Sequence, residues 1–192
     1  MITRVKDLGI VQMGYSFRSR LEIEDGGNIS IIQMKDLLED NTVSCNELVT
    51  INMEGLKDHH LVQKGDLVFK SRGQITTAAI LLEDLGEAIV AAPLLRIRIK
   101  KPDKILPEYL NWYINQRDAQ IFLTSRAKGT VQKMISKQAI EDLEVTLPSL
   151  GKQRKIVDLA SLIAREKKLL HALADKREQY ISTILMQFAK GE

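Results

Sequence analysis

The chain has 192 residues, 44% of them hydrophobic, with 28 Lys and Arg against 25 Asp and Glu and a net charge of only +3. That length suits one domain with a real core plus an appendage, and the near-neutral total does not by itself mark a nucleic-acid binder. The single cysteine, Cys45, excludes an intrachain disulfide and fits a reducing cytoplasm. No signal peptide is evident, and no apolar run reaches the ~18 residues that a membrane span needs.

Residues 1–149 alternate short apolar strands with turns. Gly14-Tyr15-Ser16-Phe17-Arg18-Ser19-Arg20 forms the first polar loop, with aromatics set between hydroxyls and arginines. Leu61 to Phe69 reads as a strand pair hinged on Lys64-Gly65-Asp66, and Ile75 to Leu82 as one buried strand. Ala88 to Ile99 reads as strand, break, strand. In its second half Leu95, Ile97 and Ile99 alternate with Arg96, Arg98 and Lys100, so apolar residues take one face and cations the other. Pro107 opens an amphipathic helix carrying Tyr109, Leu110, Tyr113 and Ile114 and running on through Ile121 to Leu123. Ser125 to Thr130 breaks it. Ser136 then caps a short helix over Lys137 to Asp142, and Leu143 to Leu147 forms a last strand.

Leu147-Pro148-Ser149-Leu150-Gly151 marks the boundary between residues 1–149 and residues 150–192. From Gly151 to Lys190 there is no proline and no further glycine. Ile156, Ile163, Leu170, Arg177 and Ile184 recur every seven residues, with Leu159, Leu173 and Tyr180 three behind. Such a sustained heptad predicts a helix roughly 60 Å long that seeks a partner helix. The expected interface is Ile156, Leu159, Ile163, Leu170, Leu173, Tyr180 and Ile184. Glu166, Arg177 and Gln187 interrupt the seam. A solvated break and a register-setting Glu166–Arg177 pair both explain the first two.

Catalytic signatures are absent from the sequence. His59 and His60 are adjacent, so they share neither a helix face nor a strand face, and Cys45 has no CxxC partner, so no metal site is expected. There is neither a GxSxG elbow nor a phosphate-binding P-loop. Glu166-Lys167-Lys168 has a nuclease-like spacing but lies within the long helix without a strand beside it. The cations, by contrast, form four islands: Arg18 and Arg20; Lys64, Lys70 and Arg72; Arg96 to Lys101; and Arg126 to Lys137. Converging on one face, they would suit DNA, while a solvated surface balanced by acids elsewhere fits equally. Loops such as Lys70-Ser71-Arg72-Gly73-Gln74 and Arg126-Ala127-Lys128-Gly129-Thr130-Val131-Gln132 combine phosphate-binding side chains with Arg and Gln, which pair with base edges. The candidate DNA contacts are therefore Arg18, Arg20, Lys70, Arg72, Gln74, Arg126, Lys128, Thr130 and Gln132.

The order of these motifs resembles the specificity subunit of bacterial type I restriction-modification enzymes. The matching stretches are Leu8-Gly9-Ile10 with Gly14 to Phe17, then Gly65-Asp66-Leu67-Val68 with Ser71-Arg72-Gly73. Lys128 to Gln132 and Ile135-Ser136 follow, and last comes Leu147-Pro148-Ser149-Leu150 with Gln153-Arg154-Lys155-Ile156-Val157, the most specific block. Family members typically carry two target-recognition domains separated by two long helices, and this chain resembles half of such a subunit. The resemblance implies an α+β fold, a mixed α/β target-recognition domain followed by a long C-terminal coiled-coil helix. It implies a cytoplasmic, non-catalytic DNA reader for one half of a split site. Its partners would be double-stranded DNA, modification (methyltransferase) subunits, restriction (motor-nuclease) subunits and, through antiparallel helices, a second copy of the chain. It would need no cofactor, since S-adenosylmethionine, ATP and Mg serve the partner subunits. A stand-alone endonuclease or methyltransferase fragment and a coiled-coil protein-protein adaptor are the rival readings.

Overall fold

The computed structural model of the protein describes residues 1–17, 23–24, 26–73, 75–129 and 134–191. Its strands are β1 (Ile2–Arg4), β2 (Gly9–Met13), β3 (Ile29–Ile32), β4 (Val49–Ile51), β5 (Leu67–Lys70), β6 (Ala78–Ile80), β7 (Ala88–Val90), β8 (Leu94–Ile99) and β9 (Glu144–Thr146). Its helices are α1 (Val5–Leu8), α2 (Pro107–Ile114), α3 (Arg117–Ser125), α4 (Lys137–Glu141) and α5 (Leu150–Lys190), the mixed α/β fold with a long C-terminal helix that the sequence predicts. The chain divides into two compact units, Met1–Arg154 and Lys155–Glu192.

Among the described residues the first unit holds three sheets. An antiparallel sheet of four strands has the order β2-β8-β5-β6, a second of three has the order β4-β3-β7 with β3 and β7 parallel, and β1 pairs with β9. The alternation in β8 turns Leu95 and Ile97 into the core, as expected. The opposite face is covered as well. Asp66, only 2% exposed, accepts from Arg98 Nε at 2.8 Å and from Arg98 Nη2 at 2.6 Å, and lies 3.9 Å from Arg96 Nε. Both guanidinium groups also donate to the carbonyl of Leu61, and Arg96 donates to Gln12 Oε1 at 2.8 Å. Arg96 and Arg98 thus form an interior ion cluster rather than a binding surface, and the exposed Lys100 and Lys101 follow β8 at the end away from Leu94.

Asp66 also explains why the expected strand pair from Leu61 to Phe69 does not form. Its carboxylate accepts the Gln63 N–H at 2.8 Å and its own N–H donates to the Gln63 carbonyl at 2.9 Å, which closes a tight turn. Leu61 instead bridges Ile89 of β7, and only Leu67–Lys70 enters the large sheet. The strand expected over Ile75 to Leu82 is confined to Ala78–Ile80, and Ile75 is 70% exposed.

The helix expected from Pro107 to Leu123 is two helices, because Asn115 has other work. Its side chain accepts the Ala78 N–H at 3.0 Å and donates to the Ala78 carbonyl at 2.8 Å, satisfying the free edge of β6. Gln116 adopts an extended backbone and α3 restarts from it. The α4 cap forms as read: Ser136 Oγ accepts the Ala139 N–H.

The first turn of α5 belongs to the first unit. Gln153 is fully buried, accepts the Leu106 N–H at 2.9 Å and donates to the carbonyls of Lys104 at 2.8 Å and Pro148 at 2.9 Å. Three backbone groups with no strand or helix partner are answered by one amide.

The Asp66 cluster yields a stability prediction. Asp66→Ala leaves two guanidinium groups without their carboxylate, and should cost about 3–5 kcal/mol in urea denaturation of the full chain. A loss under about 1 kcal/mol would show that water replaces the carboxylate.

Candidate nucleic-acid interface

The registers of the four-stranded sheet bring several chain reversals to one end. Met13 opposes Leu95, Leu94 opposes Lys70, and Phe69 opposes Ala78. The segment leaving β2, the segment leaving β5 and the segment entering β8 therefore emerge together. Gly14 N–H donates to the Leu94 carbonyl at 2.8 Å, and Tyr15 bridges Ala91. A Cβ on Gly14 would lie 2.7 Å from the Val90 carbonyl oxygen, so only glycine lets the first loop turn here. Ser71 Oγ donates to the Pro93 carbonyl, and the Ser71 carbonyl accepts the Ile135 N–H at 2.8 Å. Lys128 and Met134 exchange backbone hydrogen bonds of 3.0 and 2.9 Å, and Arg72 bridges the same Met134. The loop after β5 and the turn after α3 are thus stitched to each other across Met134, and to β8 through Ser71.

This arrangement gathers four of the nine candidate contacts. Lys70 lies along Gly73, whose φ of +124° puts it in the glycine-favoured region and whose added Cβ would sit 3.4 Å from Lys70 Cε. Arg72 is exposed, with Nη2 3.8 Å from the Met134 thioether. Lys128 is exposed in the same stitched turn. Arg126 stacks its guanidinium 3.7 Å from the centre of the Phe122 ring, which holds the charge without neutralising it. Among the described residues no carboxylate pairs with any of these four. Arg18, Arg20, Gln74, Thr130 and Gln132 lie outside the described residues. Of the other cations in the islands, Lys137 pairs with Glu141 at 3.5 Å, and Lys64 sits in the turn before β5, at the other end of that strand.

Two features of this end escape sequence reasoning. A groove of about 580 Å³ runs between Phe17, the turn Met34–Asp36 and Pro93, and brings Gln33 and the exposed Lys35 beside the first loop. Its signal was present in Gln33-x-x-Asp36, a capping arrangement in which Asp36 accepts the Gln33 N–H at 2.7 Å. The second is His60, whose ring meets Tyr15 edge-on at 5.3 Å. Burial holds it below the ordinary imidazole range, and the positive charges of His59, Arg96 and Lys57 push the same way. It packs as a support for Tyr15, which in turn lies 5.0 Å from Phe17. Among the described residues no group of three His, Cys, Asp or Glu side chains could hold a metal ion.

The second unit presents a different surface. Leu159, Ile163, Leu170, Leu173 and Tyr180 are 54–67% exposed, and Ile156 and Ile184 are half-buried. No helix among the described residues is long and apolar enough to cross a membrane.

Comparison with known proteins gives a consistent picture. A family described as "Type I restriction modification DNA specificity domain" matches residues 1–174. No curated protein sequence matches the chain. Among solved structures, a chain from a study of assembly and conformational transition in the type I R-M system aligns with a TM-score of 0.73 at 16% identity, over 96% of this chain and 43% of that one. The HsdS subunit of Thermoanaerobacter tengcongensis aligns at 0.64 and 16% identity, over 98% and 48%. The type I S subunit of M. genitalium aligns at 0.59 and 11% identity, over 93% and 42%. This chain therefore spans less than half the length of each.

Gly73 tests how the cationic end is built. Gly73→Ala forces an L side chain into that backbone and against Lys70, and should lower stability by about 1–3 kcal/mol in thermal unfolding. An unchanged melting temperature would show that the loop relaxes freely.

Proposed function

We propose that this chain, which belongs to the type I restriction-modification DNA specificity family, reads one half of a split DNA sequence and catalyses nothing itself. One observation carries the reading: Gly14–Phe17, Ser71–Gly73, Lys128 and Met134 share one sheet end, and among the described residues Lys70, Arg72, Arg126 and Lys128 pair with no carboxylate. Lysines and backbone N–H groups there suit phosphate, and Arg72 suits either phosphate or the O6 and N7 of guanine. Candidate base readers are Arg18, Arg20, Gln74, Thr130 and Gln132, with Gln33 and Lys35 added by the groove.

The long helix supplies the second part. Its exposed heptad seam pairs with a second copy of the chain, so that identical readers face two inverted half-sites around an unread spacer. Modification subunits dock on this dimer in the cytoplasm and methylate adenine with S-adenosylmethionine. Restriction subunits bring the ATP- and Mg-dependent motor and nuclease. The specificity chain needs no cofactor.

Phosphate contacts make DNA binding steeply salt-dependent, with a slope of log K against log salt near −0.9 per contact. Replacing Lys70, Arg72 and Lys128 by Ala should weaken binding of the full chain to duplex DNA and flatten that slope by about two to three, as read by fluorescence anisotropy. An unchanged slope would remove this end of the sheet from the interface. Binding that ignores salt altogether would favour the adaptor reading.

A further inference from the structure

The second unit has an apolar seam broken at two charged positions, Glu166 and Arg177, both exposed and without an ion-pair partner among the described residues. In the heptad of this helix Arg177 falls with Ile163 and Leu170, and Glu166 with Leu159 and Leu173. We infer that these two charges set the register of the antiparallel pairing that the family resemblance implies, with Glu166 of each copy opposite Arg177 of the other. The inference rests on the pairing with a second copy proposed above and adds to it a unique alignment.

Parallel, in-register helices would put like positions together, so Glu166 would meet Glu166 and Arg177 would meet Arg177 in the seam. Like charges facing each other at an interface cost several kcal/mol. Antiparallel helices set the two kinds of seam position against each other instead. In the alignment that matches Glu166 with Arg177, the twofold axis passes between His171 and Ala172. Leu170 then faces Leu173 and Ile163 faces Tyr180, with Leu159 against Ile184 further out. Each copy contributes one Glu166 and one Arg177, so the dimer gains two ion pairs and leaves neither charge against an apolar residue. The third seam break, Gln187, falls opposite Ile156, in the outermost layer.

Neighbouring alignments lack this property. A shift of one heptad in one direction puts Glu166 against Leu170 and Arg177 against Leu159. A shift in the other puts Glu166 against Ile184 and Arg177 against Leu173. Either choice buries four charges per dimer against leucine or isoleucine, which is the way a polar seam residue rejects wrong registers. The chemistry therefore selects one spacing of the two copies from several that the apolar heptad alone would allow.

The test is a charge exchange in the full chain, read by light scattering and analytical ultracentrifugation across the micromolar range. Glu166→Arg and Arg177→Glu should each weaken dimerisation on the order of a hundredfold, because each creates two like-charge contacts. The double exchange, E166R with R177E, should restore the wild-type dissociation constant to within a few-fold. The positions are solvent-exposed in the single chain, and circular dichroism should show unchanged helix content in all three variants. Single variants that dimerise like the wild type, or a double exchange no better than the singles, would overturn the register while leaving the dimer intact. A wild-type chain that stays monomeric at tens of micromolar would overturn the pairing itself.

Discussion

Asp66 sits where both main sheets and the turn between them meet. Its carboxylate takes two hydrogen bonds from Arg98, faces Arg96 and closes the Gln63 turn. Through those arginines it reaches the carbonyl of Leu61, the residue that bridges β7 of the second sheet. A buried ion cluster of this kind adds little stability over an apolar core, but breaking it is expensive, because every charge left behind stays desolvated. Burial indeed pulls the Arg96 guanidinium below its usual range, with Asp66 opposing that shift and Arg98 adding to it. The cluster therefore specifies how β5, β8 and β7 come together.

That interior use of arginine decides where the outer surface can act. Strand β8 holds its two arginines inside, so the exposed positive charge at this sheet end comes from Lys70 and the loops. The sheet supplies them at one end, where β2 and β5 finish and β8 begins. Glycine at Gly14 and Gly73 lets the chain turn closely there, and Ser71 and Met134 lock one loop to the next. A rigid sheet carrying short loops of variable chemistry is a common way to separate folding from recognition. On the proposed function, substitutions in the loops would change what is read while the Asp66 cluster and the Gln153 junction keep the frame.

Much of this was legible before any coordinates. The heptad gave α5 its length, Pro107 and Ser136 marked helix starts, and the break between Val90 and Leu94 separated two strands. The differences from the sequence expectation share a physical cause: a polar side chain answers a distant backbone group or charge. Asn115 splits the expected helix to serve Ala78, and Asp66 replaces the expected strand pair with a turn that serves two arginines. Periodicity reports which face is apolar, and cannot say that the polar face is also buried. The same limit hid the groove beside Pro93, which depends on a turn distant in sequence from the first loop.

The helix and the loops become one device only if two copies act together, because a single reader specifies only half of a split site. The exposed heptad seam and its two charges are the basis for proposing that arrangement, and DNA is where it would have a visible consequence. The decisive observation is methylome sequencing of cells that express this chain with its modification subunit and no other specificity polypeptide. Adenine methylation at two inverted half-sites around a fixed unread spacer is the expected pattern. An asymmetric motif, or methylation that does not depend on this chain, would contradict the paired-reader mechanism.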